Sequence, residues 1–319
     1  MNQEHWEGFW RYVYERQAIW HKRFVLKQDP PWTEDPVLQA YSFTNAYREL
    51  DRGTIHCLRH VITSPTRPNL TYPELLCRIV AYRFFNRTEV WDECTGPVLD
   101  NPLRDYNGRL AKHTLEPRIR TYADSGRPAF TGAFMVASYS MFPGRDKIDR
   151  ICYFIEWVFD NCNYAYRELL NCQNPREAHK YIMSWPGVGP FNAYEFLSDM
   201  YYVPGMLPWT EDDWANPGPG AKRGIKLIYP ERKDYEQCIY DLRDAQYDNL
   251  PEWHEIALSL GCEAVTASYL NNAGRQEYRA VSLGPKPLTM RNIEHNLFEY
   301  SKYARGRARV KFKPRTTPA

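Results

Sequence analysis

The segment WPGVGPFNA, residues 185–193, interrupts two stretches whose apolar residues have helical spacing, REAHKYIMS before it and NAYEFLSDMYY at its end. Pro and Gly at this density end a regular helix, because Pro lacks a backbone N–H donor and its ring clashes with the preceding turn. The chain must therefore bend here between two helices. The bend is either a plain surface connector or a hairpin whose exposed backbone N–H groups bind a phosphate.

Apolar residues at helical spacing occur along most of the chain, whereas the alternation typical of strands is scarce. The helical pattern covers the N-terminal segment around Trp6 and Val13 and the segments 37–62, 74–92 and 148–169. We therefore predict a mainly α fold. With 319 residues and 43% hydrophobic content, the chain can form one helical domain over 1–319, or two interleaved lobes at about 1–150 and 151–305 with a basic tail at 306–319.

Composition limits the partners and the chemistry. The net charge is only +2, so any affinity for nucleic acid must come from local patches. Eight cysteines are scattered singly, which indicates reduced thiols rather than metal ligands. The N-terminal segment is rich in charges, so we expect no signal peptide, no membrane span and an intracellular protein. No Walker loop, HExxH motif or dinucleotide glycine fingerprint occurs, and we expect no metal and no cofactor.

An acidic pair beyond the bend, Asp212 and Asp213, supports the hairpin interpretation. A helix, a PGVG turn and a second helix form a helix-hairpin-helix unit, in which DNA would contact Gly187, Val188, Gly189 and Phe191. Asp213 follows the turn at a distance comparable to that of the catalytic aspartate in helix-hairpin-helix DNA glycosylases, so we predict a glycosylase-like helical architecture. The residues after the turn read PFN, where Schiff-base members of those enzymes carry a lysine, so we do not expect amine-based lyase chemistry.

Several blocks of sequence together resemble one family. They are FTNAYRELDRG, YRFFNRTEVW, the hairpin, DDWANPGPGAKRGI and MRNIEHNLFEYSKYARG, spread from about Trp32 to Arg305. The combination resembles the alpha-glutamyl/putrescinyl thymine pyrophosphorylase family, whose phage members are also called amino acid:DNA transferases. The resemblance implies a glycosylase-like fold and phage DNA in which 5-hydroxymethyluracil has been pyrophosphorylated. An amine, from an amino acid or a polyamine, then displaces the pyrophosphate.

The resemblance also implies partners and a location. The partners are double-stranded DNA carrying pyrophosphorylated 5-hydroxymethyluracil and an amino acid or polyamine donor, without a membrane. The 5-hydroxymethyluracil DNA kinase that prepares this base is left open as a further partner. The location implied is the host cytoplasm during phage infection.

Two sets of candidate site residues follow from the matching blocks and their chemistry. Departing pyrophosphate needs cations and donors near the reacting carbon, which predicts a substrate-binding set: Asn45, Arg48, Asp51, Arg52, Asn86, Arg87, Lys222 and Arg223. The attacking amine must lose a proton to a carboxylate or imidazole, which predicts a catalytic set: Asp213, Glu294, His295, Glu299 and Lys302. The last four fall on one predicted helix.

Each candidate also has a structural explanation. Arg48, Asp51 and Arg52 fall on one predicted helix, where they could form a solvated ion pair. The segment GPGAKRG is either an anion-binding loop or a stiff loop that positions Asp213. The aromatic stretch FTGAFMVASYSMF, 130–142, either lines a pocket for a flipped base or packs in the core.

The function therefore remains open between different classes of protein. One hypothesis is the transferase. The other is a helix-hairpin-helix DNA glycosylase or a non-catalytic DNA-binding protein, in which Asp213 either cleaves the glycosidic bond or only orders its loop. A third hypothesis is a protein that acts as a partner of the kinase. The chain has no P-loop, so it is not itself that kinase. The EHNLFEYSKY block favours the transferase, because the glycosylase and the DNA-binding protein do not need it.

Overall fold

The structure is a computed structural model that describes residues 1–63, 70–100, 114–131, 139–250, 265–270, 276–281 and 287–306. The mainly α prediction is confirmed. The α-helices in chain order are α1 (Gln3–Trp20), α2 (Pro36–Ala40), α3 (Arg52–His56), α4 (Tyr72–Phe85), α5 (Thr88–Val90), α6 (Gly96–Asp100), α7 (Glu116–Asp124), α8 (Lys147–Asn171), α9 (Pro175–Met183), α10 (Pro190–Met200), α11 (Pro219–Ile228), α12 (Tyr235–Asn249) and α13 (Met290–Tyr303).

Shorter elements complete the described part of the chain. A 3₁₀ turn covers Arg48–Leu50, and π-helical turns cover His21–Val25, Cys57–Ile62 and Trp91–Thr95. A small sheet contains β1 (Leu70–Thr71), β2 (Val265–Leu270) and β3 (Gln276–Val281). β1 pairs with β2 in parallel, and β2 pairs with β3 antiparallel, with Val265 opposite Val281. Within the described ranges, no helix is both long and apolar enough to span a membrane.

The chain divides into two compact units, each assembled from separate segments. The terminal unit takes the described residues of Met1–Asp51, Glu211–Ala264 and Ser282–Ala319. The central unit takes those of Arg52–Thr210 and Val265–Val281.

In the terminal unit, α1, α11 and α12 pack against α13. The approach of α11 to α13 requires glycine, because a Cβ at Gly224 would lie 2.2 Å from the Leu297 carbonyl oxygen. A Cβ at Gly220 would lie 1.7 Å from a ring carbon of Phe298. The interpretation of GPGAKRG as a loop is therefore wrong from Pro219 onwards, since Pro is well tolerated in the first helical turn and the helix continues to Ile228.

In the central unit, α4 is the buried helix, and α8 and α10 pack on it. Arg83 of α4 forms an ion pair with Asp199 of α10, and both side chains are almost fully buried. A second carboxylate, that of Glu195, lies 3.4 Å from Arg83. Because a buried guanidinium must be neutralised by a partner, this pair fixes how α4 and α10 meet.

The segment 37–62 is not the continuous helix that the sequence predicted. Helix α2 ends at Ala40, and Arg48 begins the 3₁₀ turn Arg48–Leu50, which is followed by Asp51, an extended residue with ψ 139°. The cause is local: the Asn45 amide donates to the Leu50 carbonyl at 2.9 Å, and the Asn45 backbone N–H donates to Asp51 at 3.0 Å. Such side-chain bonds to the backbone compete with helix formation. Arg48 and Asp51 therefore do not share a helix with Arg52.

Candidate functional site

One face of α13 carries three members of the predicted catalytic set. The helix begins after Thr289, whose hydroxyl and the Asn292 side chain form a reciprocal cap. His295, Glu299 and Lys302 follow at spacings of four and three residues, which place side chains on one face of a helix. The predicted helix is confirmed, and three of its four predicted site residues lie on this face.

Glu299 is the centre of this face. Its side chain is only 4% exposed; Lys302 Nζ donates to its Oε1 at 2.7 Å, and His295 Nε2 lies 3.8 Å from the same oxygen. Among the described residues, the other oxygen, Oε2, is buried without a hydrogen-bond partner. Burial raises the pKa of Glu299, and Lys302 opposes this increase. The carboxylate is thus buried, only partly satisfied and a better proton acceptor than an ordinary glutamate.

The segment before the 3₁₀ turn lies against this face. Thr44 Oγ1 is 2.7 Å from His295 Nε2. Further along the segment, Arg48 pairs with Asp51 in the same turn. Both of these charges act on Glu299: Arg48 lowers its pKa and Asp51 raises it. Arg48, Asp51, His295, Glu299 and Lys302 are therefore neighbours in one cluster.

Two further members of the cluster come from α1 and were missed by the sequence reasoning. The buried Arg16 donates from Nε to the Thr44 carbonyl at 3.1 Å and from Nη2 to the Phe43 carbonyl at 3.0 Å. Burial lowers the pKa of Arg16. Tyr12 is 1% exposed, its hydroxyl has no hydrogen-bond partner within the described ranges, and burial raises its pKa. The signal in the sequence that could have revealed Arg16 is the position of a charged residue on the apolar face of α1.

The remaining candidates of the terminal unit lie elsewhere. Asp213 is exposed, and its backbone carbonyl accepts from Tyr240 at 2.6 Å. The adjacent Asp212 accepts from the Met290 N–H at 3.0 Å, at the start of α13. Nine residues separate Met290 from Glu299, or roughly 14 Å at 1.5 Å per residue. The aspartate pair thus lies at the opposite end of α13 from the cluster.

Glu294 and the basic pair of α11 form a separate group. The Gly218 N–H, at the start of α11, donates to Glu294 Oε1 at 3.3 Å. Five positions at 100° each turn Glu294 about 140° away from Glu299 around α13. Lys222 and Arg223 lie on the exposed face of α11, with the Lys222 ammonium 5.4 Å from the centre of the Tyr235 ring.

Two candidates of the central unit, Asn86 and Arg87, lie between α4 and α5, and the third, Arg52, begins α3. Asn86 ends α4 in the left-handed conformation, with φ 47° and ψ 40°. Arg87 lies 3.7 Å from Glu89, and Arg52 lies 3.8 Å from the same carboxylate. Asn86 therefore has a structural role as a helix cap, while a contact of Arg52 or Arg87 with a substrate stays a prediction.

The hairpin joins α9 to α10 in the central unit. Gly187 has φ +76°, and a Cβ there would lie 2.8 Å from Met141 Sδ, so glycine is required by the fold. Gly189 is the N-cap of α10, and a Cβ there meets nothing within 4 Å. Val188 is buried, whereas Phe191 is 54% exposed. The first turn of α10 is therefore open to a ligand at Gly189.

Two predictions fall partly or wholly outside the described residues. Of the aromatic stretch, Phe130 stacks on Phe85 and Phe142 on Tyr139, while Phe134 lies outside the described ranges. The basic tail lies outside them beyond residue 306. In the described part of the chain, no three His, Cys, Asp or Glu side chains are grouped so as to hold a metal ion.

The fold and the cluster define a mainly helical protein with a buried carboxylate, histidine and lysine at one site. The sequence profile of the family described as "5-hmdU DNA kinase, helical domain" matches residues 3–311, so the chain belongs to this family. The predicted link to phage thymidine hypermodification is confirmed at this level.

A curated relative gives the same association. The 5-hmdU DNA kinase of Bacillus phage SP10 is 32% identical over 238 residues, which cover 71% of this chain and 36% of the kinase. The chain thus spans about a third of the length of that relative. No solved structure matches the chain.

Proposed function

We propose that this chain modifies 5-hydroxymethyluracil in DNA by transferring an amine onto the pyrophosphorylated base. In this step the amine nitrogen forms a bond to the methylene carbon attached to the uracil ring, and the bond from that carbon to the pyrophosphate oxygen breaks. One proton leaves the ammonium before attack and a second leaves the new C–N centre. The family, described as the helical domain of a 5-hmdU DNA kinase, supports 5-hydroxymethyluracil as the base that is modified. The cluster on α13 supports the proposed chemistry.

The observation that carries the proposal is the buried carboxylate of Glu299 with its unsatisfied Oε2. A general base works best when its pKa lies near the working pH, and burial moves the pKa of Glu299 in that direction. Glu299 accepts the proton of the amine. An ordinary exposed glutamate would be a poorer base, since its lower pKa holds the proton less well.

The neighbours of Glu299 have complementary roles. Lys302 supplies a cation 2.7 Å from Glu299, and Arg48 a second one, both suited to the negative charge that develops on the departing pyrophosphate. His295 is oriented by Thr44, since the contact between the Thr44 hydroxyl and one ring nitrogen fixes the direction of the imidazole. Arg16 holds the segment that carries Thr44. The set thus combines a base, cations and an oriented imidazole.

DNA would be held through the hairpin between α9 and α10, as in the helix-hairpin-helix, glycosylase-like architecture that we propose for this chain. The open backbone at Gly189 supports a phosphate contact, because helix N-termini bind anions through their free N–H groups. Gly189→Val tests this contact better than a change at Gly187, which would strain the turn. We expect Gly189→Val to fold normally and to weaken binding of modified and unmodified duplex alike.

Mass spectrometry of nucleosides tests the reaction class. The protein is incubated with pyrophosphorylated 5-hydroxymethyluracil DNA and a mixture of amino acids and polyamines, and the digested DNA is analysed. The proposal predicts a nucleoside whose mass has gained an amine and lost pyrophosphate. Release of a free base would identify a glycosylase instead, and bound but unchanged DNA would identify a non-catalytic binding protein.

A further inference from the structure

A turn at the end of α1 displays two apolar side chains among cations. The turn, residues 21–28, reads HKRFVLKQ and contains three Lys or Arg and no acid. Phe24 is 46% exposed and Leu26 is 50% exposed. Apolar side chains rimmed by polar residues are typical of interaction sites, and Phe24 and Leu26 are exposed two residues apart among three cations. We name this segment the Phe24 turn.

The Phe24 turn has a defined shape. The Arg23 guanidinium carbon lies 4.9 Å from the centre of the Phe24 ring and 5.1 Å from that of Trp32. Trp32 anchors the turn, because its Nε1 donates to the Gln28 carbonyl at 2.7 Å and its carbonyl accepts from Lys22 Nζ at 3.0 Å. The exposed ring is therefore held in place before any partner arrives.

The backbone of the turn is also fixed. The Gln28 N–H donates to the Lys22 carbonyl at 3.0 Å, and Lys27 adopts the left-handed conformation with φ +54°. This conformation is uncommon for a residue with a side chain and persists where the surroundings impose it. Leu26 and Lys27 are thus presented to solvent by a folded turn.

We infer that the Phe24 turn is a second DNA-binding surface, which contacts an unstacked base and the adjoining phosphates. An aromatic ring beside an arginine is a sequence-tolerant platform for unpaired bases, and apolar side chains can enter a base step. Arg23 and Lys27 complement the charge of the phosphates. The inference rests on the proposed function, because chemistry at the 5-substituent of a uracil is aided when the nucleotide leaves the stack.

Lipid is a poorer match than DNA. Helices that lie on membranes bury a whole apolar face. Here the apolar face of α1 is already buried in the protein, at Phe9, Trp10 and Val13. What remains exposed is one ring and one aliphatic side chain, a size that suits a base step.

The test compares a double variant, Phe24→Ala with Leu26→Ala, with a matched control, Tyr247→Ala. Tyr247 is 54% exposed on α12 of the same unit. Affinity is measured by fluorescence anisotropy on a duplex that carries 2-aminopurine next to a 5-hydroxymethyluracil. We expect the double variant to bind about 10-fold more weakly and to lose the 2-aminopurine signal of unstacking, whereas the control stays within about 2-fold of the wild type. Melting temperatures of the double variant and the control should fall by similar, small amounts, because the altered side chains are all about half exposed.

A salt titration gives an independent reading. Lys27→Gln should reduce the slope of log affinity against log salt by about 0.9, the value for one phosphate contact. Wild-type affinity and an unchanged slope in these variants would overturn the inference. Binding to anionic vesicles, or self-association, that depends on Phe24 would also overturn it. If the wild type forms no amine-modified nucleoside while the double variant still loses DNA affinity, the proposed function fails and the DNA surface stands.

Discussion

Replacing Glu299 by Gln keeps the shape of the side chain and removes its charge. The hydrogen bond from Lys302 at 2.7 Å is charge-assisted, worth about 1.5–3 kcal/mol, and becomes a bond to a neutral amide, so the exchange costs about 1–2 kcal/mol. Against this, burying a carboxylate costs several kcal/mol, and Gln avoids that cost. Lys302 is 28% exposed and can regain water. We therefore expect Glu299→Gln to be as stable as the wild type, or more stable by up to about 2 kcal/mol.

The difference in stability between Glu299→Gln and the wild type should depend on pH in a defined direction. Burial raises the pKa of Glu299 above its unfolded value. An acid of this kind favours folding below its unfolded pKa, and this contribution is lost as the pH rises through the folded pKa. Gln does not titrate. The stability of Glu299→Gln relative to the wild type should therefore increase as the pH rises from about 4.5 through the raised pKa of Glu299.

Whereas Glu299→Gln should keep or increase the stability of the protein, it should lower the rate of catalysis. A positioned general base contributes about 10²–10⁴-fold, so the single-turnover rate should fall by that factor while DNA affinity stays constant. Urea unfolding followed by tryptophan fluorescence gives the stability at each pH, and rapid-quench mass spectrometry gives the rate. Glu156→Gln, a buried carboxylate of α8 in the central unit, is the control and should keep its rate. A loss of about 3 kcal/mol in Glu299→Gln with an unchanged rate would refute the reasoning and make Glu299 a structural ion-pair partner.

Three further predictions concern the scaffold, each measured as the free energy of unfolding in urea. Gly224→Ala should destabilise by about 1–3 kcal/mol despite the better helix propensity of Ala, because its Cβ meets the Leu297 carbonyl; equal stability would contradict the close packing. Asp199→Ala should cost about 3–5 kcal/mol, since it leaves the buried Arg83 under-neutralised, and a loss below about 1 kcal/mol would argue against the pair. Asp212→Ala removes the acceptor for the Met290 N–H at the start of α13 and should cost about 0.5–2 kcal/mol; no loss would show that this hydrogen bond is unimportant.

The sequence predicted the helix of the cluster but not the partners of that helix. The positions of His295, Glu299 and Lys302 on one face follow from local spacing, which is why they were recognisable. Thr44 lies 251 residues from His295 in sequence, and the contact between them depends on tertiary packing that local patterns do not encode. Arg16 enters the cluster because it holds the segment around Thr44, a contact that is likewise set by tertiary packing.

Local competition explains the failure between residues 37 and 62. The apolar spacing favoured one helix, but the side-chain and backbone bonds of Asn45 to Leu50 and Asp51 favoured a turn. For the glycine-rich segment GPGAKRG the error was the reverse, since a loop was predicted where a helix is found. Gly220 and Gly224 were interpreted as loop residues, yet they are in a helix because α11 must approach α13 closely. Glycine in a sequence does not distinguish a flexible loop from a close helix contact.

The central claim is that this chain joins an amine to the base with loss of pyrophosphate, and the stoichiometry of that step tests it most directly. The purified protein is mixed with a limiting amount of pyrophosphorylated 5-hydroxymethyluracil DNA and a ¹⁵N-labelled amine, and both the label in the nucleosides and the released pyrophosphate are quantified over time. The account predicts that one labelled nitrogen enters the DNA for each pyrophosphate released, at equal rates, and that both signals develop about 10²–10⁴-fold more slowly in Glu299→Gln. Pyrophosphate release without incorporation of ¹⁵N, or unaltered DNA throughout, would contradict it.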